Sequence, residues 1–460
     1  MTPSQRNEDR PVAALIAPDI LLMLDESPAD IAAETEELHP ANLADVAEAL
    51  EPVQVSRLLR ALPPERAADV LEYLDEGLRT EVLEAMSSTQ AAALVAEMTP
   101  DDRADALDEL EEGHAGEILA RIASEARGET ERLLAYKPES AGGLMTTEFV
   151  SIPEGTTVEA ALRSVRGVAR AGRREALYTI YVTDPAGRVR GVLSLRELLA
   201  APEGTRIDEL AWTDVVTVSA TADREEVARL TSKYDLVAVP VVDDGGRIIG
   251  VVTVDDVIDA IMEEQTEDVQ KLGGMEALDQ PYFAASFWSM VRKRGGWLVL
   301  LFVEEMFTGT ALRHYSTMLE AATALMFFVP LIISSGGNSG SQSATLITRA
   351  LAVGDVRLRD SLRVLGRELG QGLALGAFLG AIGLVRAIMW GNGTDMAYVV
   401  AITLLAVVLT GTVVGAMLPL LLTRVGFDPA IASSPFVASF VDVAGIVIYF
   451  TVAQRILGVG

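Results

Sequence analysis

The apolar positions fall into three successive patterns. Between residues 43 and 122 they recur in short blocks twelve residues apart: LADVAEAL, VSRLLRAL, AADVLEYL, RTEVLEAM, AAALVAEM, RADALDEL and AGEILARI begin at 43, 55, 67, 79, 91, 103 and 115. Each block predicts one short helix. Glu51-Pro52, Pro63-Pro64 and Thr99-Pro100 mark breaks between them, since proline cannot continue a helix but fits the first turn of the next. Helices this short are marginal alone, so they must stack to bury their Leu, Val and Met faces.

From about 144 to 260 the period changes to that of strands. LYTIYVTDPAGRVRGVLSLREL at 177–198 and LVAVPVVDDGGRIIGVVTVDDV at 236–257 each read as a β-branched run, a glycine-containing turn, a second apolar strand and a helix opened by an acid. The module is duplicated. A helical stretch, DDVIDAIMEEQTEDVQKLGG, then spaces its acids three to five residues apart, placing several on one side. After it come five segments long enough to cross a bilayer, near 296–312, 319–347, 364–388, 397–422 and 434–457. The fold class expected is therefore multidomain: an all-α superhelical N-terminal domain, an α+β pair, a connecting helix, and a five-helix transmembrane domain. The boundaries read as 1–140, 141–257 (divided near 203/204), 258–290 and 291–460.

Charge sharpens this picture. Residues 1–290 hold 57 of the 66 Asp and Glu but 25 of the 37 Lys and Arg, while the remainder is slightly basic. A formal net charge of −29 excludes nucleic acid as a partner, because binding there depends on positive charge displacing counter-ions. Cations are the natural ligands. With no cysteine and only His39, His114 and His314 among the imidazoles, oxygen donors remain, and these suit hard ions such as magnesium. The first 20 residues lack a basic start and an unbroken apolar core, so no secretory leader is expected. Arg292, Lys293, Arg294, Arg349, Arg357, Arg359, Arg363, Arg367 and Arg424 fall on one side of the spans, which predicts an inner-membrane protein with its N-terminus cytoplasmic and its C-terminus outside.

Inside the apolar part, Asp442 is the outstanding position, because a carboxylate deep in a spanning helix either bonds to a neighbouring helix or serves an ion path. Ser334 to Gln342 form a glycine-rich polar break in the second segment, where glycines allow close helix approach or an unwound turn and Asn338 or Gln342 can meet a hydrated ion. Asp428-Pro429, before the last helix, suits a cation-gathering mouth or an N-cap. Of Glu304 and Glu305, at least one must face the protein interior. No Ser-His-Asp set, phosphate loop or HExxH motif suggests an enzyme. An ion-coupled secondary transporter of divalent cations such as magnesium or cobalt, regulated by nucleotide at the duplicated module, is the rival to a channel; five spans do not divide into equal inverted halves.

Gly250 to Asp256 and its counterpart Gly191 to Glu197 resemble the ribose-contacting segment of cystathionine-β-synthase (CBS) domains. Together with the stacked helices, the acidic connecting helix, GGNSGSQSATLITRALA, GAMLPLLL and DPAIASSPFVASFVDVAGIVIYF, the whole chain resembles the MgtE family of magnesium channels. The resemblance implies a homodimer in the lipid bilayer whose fifth helices line one path, with Asp442 of each subunit holding hydrated magnesium; Asn338 is the further candidate for the pore. It implies a connecting helix that acts as a plug. It also implies regulatory magnesium at Asp69, Asp101, Asp105, Asp235, Asp256, Asp259, Glu264, Glu267, Asp268 and Asp428. ATP as a modulator would meet Ser194, Glu197 and Thr253. Two positions depart from the family pattern: Asp69 replaces a glutamate, and Glu197 replaces the usual aspartate.

Overall fold

The computed structural model describes residues 11–170, 179–278, 282 and 285–458. The first ten residues of the expected leaderless start, Leu177 and Tyr178 of the first quoted strand, and 279–281 and 283–284 of the connecting segment lie outside them. Two compact units are present, Met1–Glu263 and Glu264–Gly460.

In the first unit, α1 (Pro11–Glu26) precedes α2 (Pro40–Ala47), α3 (Pro52–Ala61), α4 (Pro64–Glu72), α5 (Glu76–Glu84), α6 (Ser88–Val95), α7 (Pro100–Asp108), α8 (Glu112–Leu119) and α9 (Ser124–Leu133). From α2 onwards the helices start every twelfth residue. The last of them extends the repeat by one unit beyond the seven read from the apolar pattern, because SEARGETERL buries only Thr130 and Leu133 and shows no apolar block. Local chemistry sets the starts: proline occupies the first turn of α2, α3, α4 and α7, Asp75 accepts the Gly77 N–H at 2.9 Å, and Ser87 and Gln90 form a capping box. Leu43, Leu58, Leu59, Leu71, Leu83 and Ile118 are almost wholly buried in one core. Each contributes about 2 kcal/mol by leaving water, which is what short helices lack in isolation.

The duplicated module is two three-stranded sheets of one design. β1 (Val150–Pro153) runs parallel to β2 (Ile180–Thr183), which pairs antiparallel with β3 (Val189–Leu193); β4 (Val218–Ser219), β5 (Ala238–Val242) and β6 (Ile248–Thr253) repeat the arrangement. Register slips at matching places, Val182/Thr183 and Val241/Val242, so the duplication extends to the irregularities. Helices accompany the strands: α10 (Val158–Arg170), α11 (Leu195–Ala200), the single turn Ile207–Leu210, and α12 (Arg224–Tyr234). Ala104 of α7 and Leu133 of α9 share a core with Val239, Val241 and Val252, so the helix stack docks on the second half. α13 (Val254–Leu272) leaves β6 directly and carries the chain into the second unit.

The second unit contains α14 (Phe287–His314), α15 (Val329–Ala352), α16 (Ser361–Met389), α17 (Gly393–Arg424) and α18 (Ser434–Leu457). Four described helices are long and apolar enough to cross a membrane, those starting at Phe287, Leu358, Gly393 and Ser434. α15 falls short because of its polar Ser334–Gln342 stretch. That stretch is helical throughout, so of the two readings the structure has close approach rather than an unwound turn. The second segment also begins later than 319, since Ser316–Ala321 and Thr323–Phe327 form separate short turns before it. α15 lies against α17: a Cβ added to Gly411 would stand 2.5 Å from the Gly336 carbonyl oxygen. No side chain fits there.

Gly411→Leu should therefore overpack the α15/α17 contact, at about 1–3 kcal/mol or more. Gly366→Leu, which meets nothing within 4 Å, should be tolerated. The check is monodispersity after stepwise heating of the detergent-solubilised chain, with only the first variant lost early.

Candidate functional site

Two groups of acids stand out in the first unit, one on α7 and one on the first turns of α13. Pro100 starts α7 so that Asp101 and Asp102 fall in its first turn and Asp105 one turn on. Thr253 precedes α13 and its hydroxyl donates to Asp256 at 2.5 Å, with Asp255 and Asp259 alongside. The two groups feel each other. Burial, followed by the Asp102 charge, pushes the Asp101 carboxyl up to about 7. Burial and then Asp101 hold Asp256 well above the usual carboxylate range. The surrounding protein, followed by Asp101 and Asp102, pushes Asp105 up to about 7. Asp259 is raised by burial and Asp255, and Asp102 by burial with Asp255 and Asp259 adding to it.

Among the described residues, the arginines beside these acids are already engaged. Arg79 acts on Asp102 and Asp105, but its guanidinium is held by Glu109 in a two-pronged ion pair, one limb of which measures 3.0 Å. Arg103 is paired with Glu129 at 3.2 Å. Asp101 is 6 % exposed and its Oδ1 has no hydrogen-bonding partner among the described residues, a demanding situation for a buried oxygen. Among the described residues no three acidic or histidine side chains converge to hold a bare metal ion. The acids are neighbours by charge rather than by common coordination.

Of the other expected sensor positions in this unit, Asp69 on α4 is half-buried, and its charge acts with Glu72, Asp255 and Asp102 on Tyr73, whose hydroxyl is raised first by burial. Asp235 stands exposed in a left-handed conformation (φ 51°) at the end of α12, with no hydrogen bond or ion pair linking it to the cluster. Ser194 and Glu197 form the capping box of α11, and Glu197 also accepts the Trp212 indole N–H at 3.0 Å. Thr253 and Asp256 occupy the corresponding place in the second half.

In the second unit Glu264, Glu267 and Asp268 lie on the last turns of α13. Lys271 Nζ reaches Glu267 at 2.5 Å and Asp428 at 2.6 Å. Asp428 also caps the turn Pro429–Ile431, accepting the Ala430 N–H at 2.8 Å, so it is both an N-cap and an acid at the start of the last helix. Burial raises Asp268, and the Asp428 and Glu264 charges add to the effect.

Asp442 sits midway along α18, half-buried, and among the described residues it makes no hydrogen bond or ion pair. Its Oδ1 lies 3.3 Å from where a Cβ on Gly337 would be, so α15 passes it at a glycine. The next residue, Asn338, donates to Ser334 Oγ at 3.3 Å and is exposed. Glu304 is half-buried with Oε2 unsatisfied, Glu305 is exposed, and both are within electrostatic reach of Asp442. The inward-facing member of that pair is thus Glu304. Sequence reasoning passed over Asp102, Asp255 and Lys271, although the first two adjoin named acids and the third follows Glu267 at helical spacing. It also passed over Glu368, buried on α16 and hydrogen-bonded by Ser343 at 2.8 Å; only its position in an apolar segment signals it.

This arrangement, a helical bundle carrying an embedded carboxylate and preceded by acidic soluble modules, defines a multi-pass membrane transporter of divalent cations rather than an enzyme. Residues 329–452 match the family described as divalent cation transporter, 38–139 the MgtE intracellular N domain, and 141–204 and 207–263 the CBS domain. The magnesium transporter MgtE of Thermus thermophilus is 46 % identical over 331 residues, 72 % of this chain and 73 % of that protein. The Enterococcus faecalis magnesium transporter MgtE is 34 % identical over 73 % of each. A crystal structure of the soluble part of a magnesium transporter is 32 % identical with a TM-score of 0.51, covering 55 % of this chain and 99 % of that one. The chain belongs to the MgtE family of magnesium transporters.

The acid cluster sets a pH dependence whose sign is fixed. Asp101 and Asp105 have folded-state pKa values near 7, above their unfolded values, so the folded protein holds protons that the unfolded chain releases. Stability present below about pH 4 is then lost as pH rises through about 7. In chelator, the melting temperature of the purified chain should fall between pH 5 and pH 8, millimolar magnesium should restore it, and Asp101→Asn should flatten the slope. A flat parent profile contradicts the cluster's strain.

Proposed function

We propose that the chain is a magnesium channel mediating uptake across the inner membrane and that magnesium bound to its cytoplasmic acids closes it. The observation that carries the pore is Asp442, a carboxylate in the middle of a spanning helix, without a hydrogen bond or ion pair among the described residues and next to a glycine of α15. Retaining such a group is costly unless it serves an ion. Magnesium gives up water reluctantly and is commonly bound through its waters by one or two carboxylates, which suits one Asp442 from each subunit of a homodimer with Asn338 nearby. The homodimer is carried by the resemblance; α14 packs on α18 and leaves Leu298, Phe302 and Phe307 exposed, an apolar face for lipid or a second subunit to cover.

The basic residues support an orientation. Arg292 to Arg294 lie near the start of α14, Arg349 in the last turn of α15, Arg357 and Arg359 in the link to α16, Arg363 and Arg367 in its first turns, and Arg424 at the end of α17, which supports a cytoplasmic N-terminus and an outside C-terminus. Residues 1–140 and 141–257 then form the sensor, 258–290 the plug and 291–460 the conducting domain.

Closure is a population shift, requiring tighter magnesium binding to the closed state than to the open one. The crowding of Asp101, Asp105 and Asp256 supplies that difference, because bridging ions relieve repulsion that exists only when α7 and α13 are together. Asp69, Asp259, Glu264, Glu267, Asp268 and Asp428 extend the same logic along α4, α13 and the start of α18, and Asp235 belongs to it only through the resemblance. ATP modulation through Ser194, Glu197 and Thr253 must compete with the caps these side chains already make.

Proteoliposome flux tests both halves of the reading. Magnesium flux in the parent should fall as cytoplasmic-face magnesium rises to millimolar, and Asp442→Ala should conduct less than about a tenth as well at low magnesium. A folded Asp442→Ala variant that conducts like the parent removes the pore assignment. Parent flux indifferent to cytoplasmic magnesium removes the feedback.

A further inference from the structure

Between Arg247 and Arg292 the chain has a single basic residue, Lys271, among nine acids. It is not left in solvent. In the last turn of α13 its ammonium sits between Glu267 of the same helix, 2.5 Å away, and Asp428 at the start of the last membrane segment, 2.6 Å away. Asp428 is itself fixed, since its other oxygen holds the Ala430 N–H.

The residues after Lys271 are fastened to the same place. Leu278 N–H donates to Gln270 Oε1 at 2.6 Å, and Lys293 Nζ donates to the Ala277 carbonyl at 2.5 Å, so the chain folds back on the start of α14. Gly274, at φ 74°, turns beneath Trp297, where a Cβ would stand 2.7 Å from the indole nitrogen. Trp297 in turn donates to Ser433 Oγ at 3.3 Å, one residue before α18. The end of α13 therefore meets the base of α14 and the start of α18.

We propose that Lys271 is a tethered counter-ion that ties the end of α13 to the mouth of the membrane bundle through Asp428, independently of any bound metal. An ammonium is a compact charge with three donors, able to neutralise and join two carboxylates that would otherwise repel across the joint. The tie holds α13 at the mouth at low magnesium and lowers the ion concentration needed to keep it there. The gating consequence rests on the function proposed above; the tie itself does not.

Two readouts separate them. Hydrogen exchange of residues 264–278 in chelator should speed up about two- to fivefold in Lys271→Gln, the scale of a partly exposed ion pair. Lys271→Arg should stay near the parent, and the swap Lys271→Asp with Asp428→Lys should recover protection that Lys271→Asp alone loses. In proteoliposomes Lys271→Gln should raise low-magnesium flux and move the closing midpoint upward by a similar factor. Unchanged exchange in a folded Lys271→Gln chain, or failure of the swap to recover protection, overturns the tie. Parent flux that ignores cytoplasmic magnesium sinks the feedback reading alone, since exchange tests the tie without it.

Discussion

A carboxylate withdrawn from water is stable only if it keeps its proton or acquires a positive partner, and this chain repeatedly brings carboxylates together in greater number than the cations beside them. On α7 and the first turns of α13, Asp101, Asp102, Asp105, Asp256 and Asp259 crowd one another while Arg79 and Arg103 are already held by Glu109 and Glu129. The local helix signals that build these elements place the acids there: proline starts α7, and Thr253 meets Asp256 at the opening of α13. The elements that make the unit fold are the ones that strain it. The apolar core shared by α7, α9 and the second sheet holds these acids together against their mutual repulsion.

The membrane unit solves a different problem with different residues. Without a hydrophobic drive between helices in lipid, close backbone approach has to supply the attraction, and Gly336 and Gly411 provide it between α15 and α17. The same small residues leave room beside Asp442 at Gly337. The close helix approach and the space beside Asp442 thus share one glycine-rich stretch, whose polar composition keeps α15 below the hydropathy of the other spans.

Much of this was legible in the amino-acid order. Twelve-residue spacing announced the stacked helices, because proline and cap residues recur in phase with the apolar blocks; α9 escaped notice because its helix is mostly polar and buries little. The duplicated strand–turn–strand pattern survived down to the matching register slips. Asp442 was conspicuous because a lone acid in an apolar run has few alternatives. The helical continuity of Ser334–Gln342 was not legible: glycine and serine are poor helix formers by propensity, and only the facing backbone of α17 decides the matter. Nor was the meeting of α7 with α13, since residues some 150 apart are brought together by the Ala104 and Leu133 contacts with the second sheet, which no local pattern encodes.

Counter-ions supplied by the chain and by solution act differently. On the proposed function, a magnesium ion bridging Asp101 and Asp256 would be lost by dilution, so its contribution would vary with concentration. An ammonium held by its own helix, as Lys271 is between Glu267 and Asp428, is present at a fixed effective concentration whatever the solution contains. Beside the acids of α7 and the start of α13 the arginines are already engaged by Glu109 and Glu129, while at the end of α13 a single lysine meets two carboxylates. Both arrangements thus occur along one helix, crowded acids at its start and a built-in cation at its end.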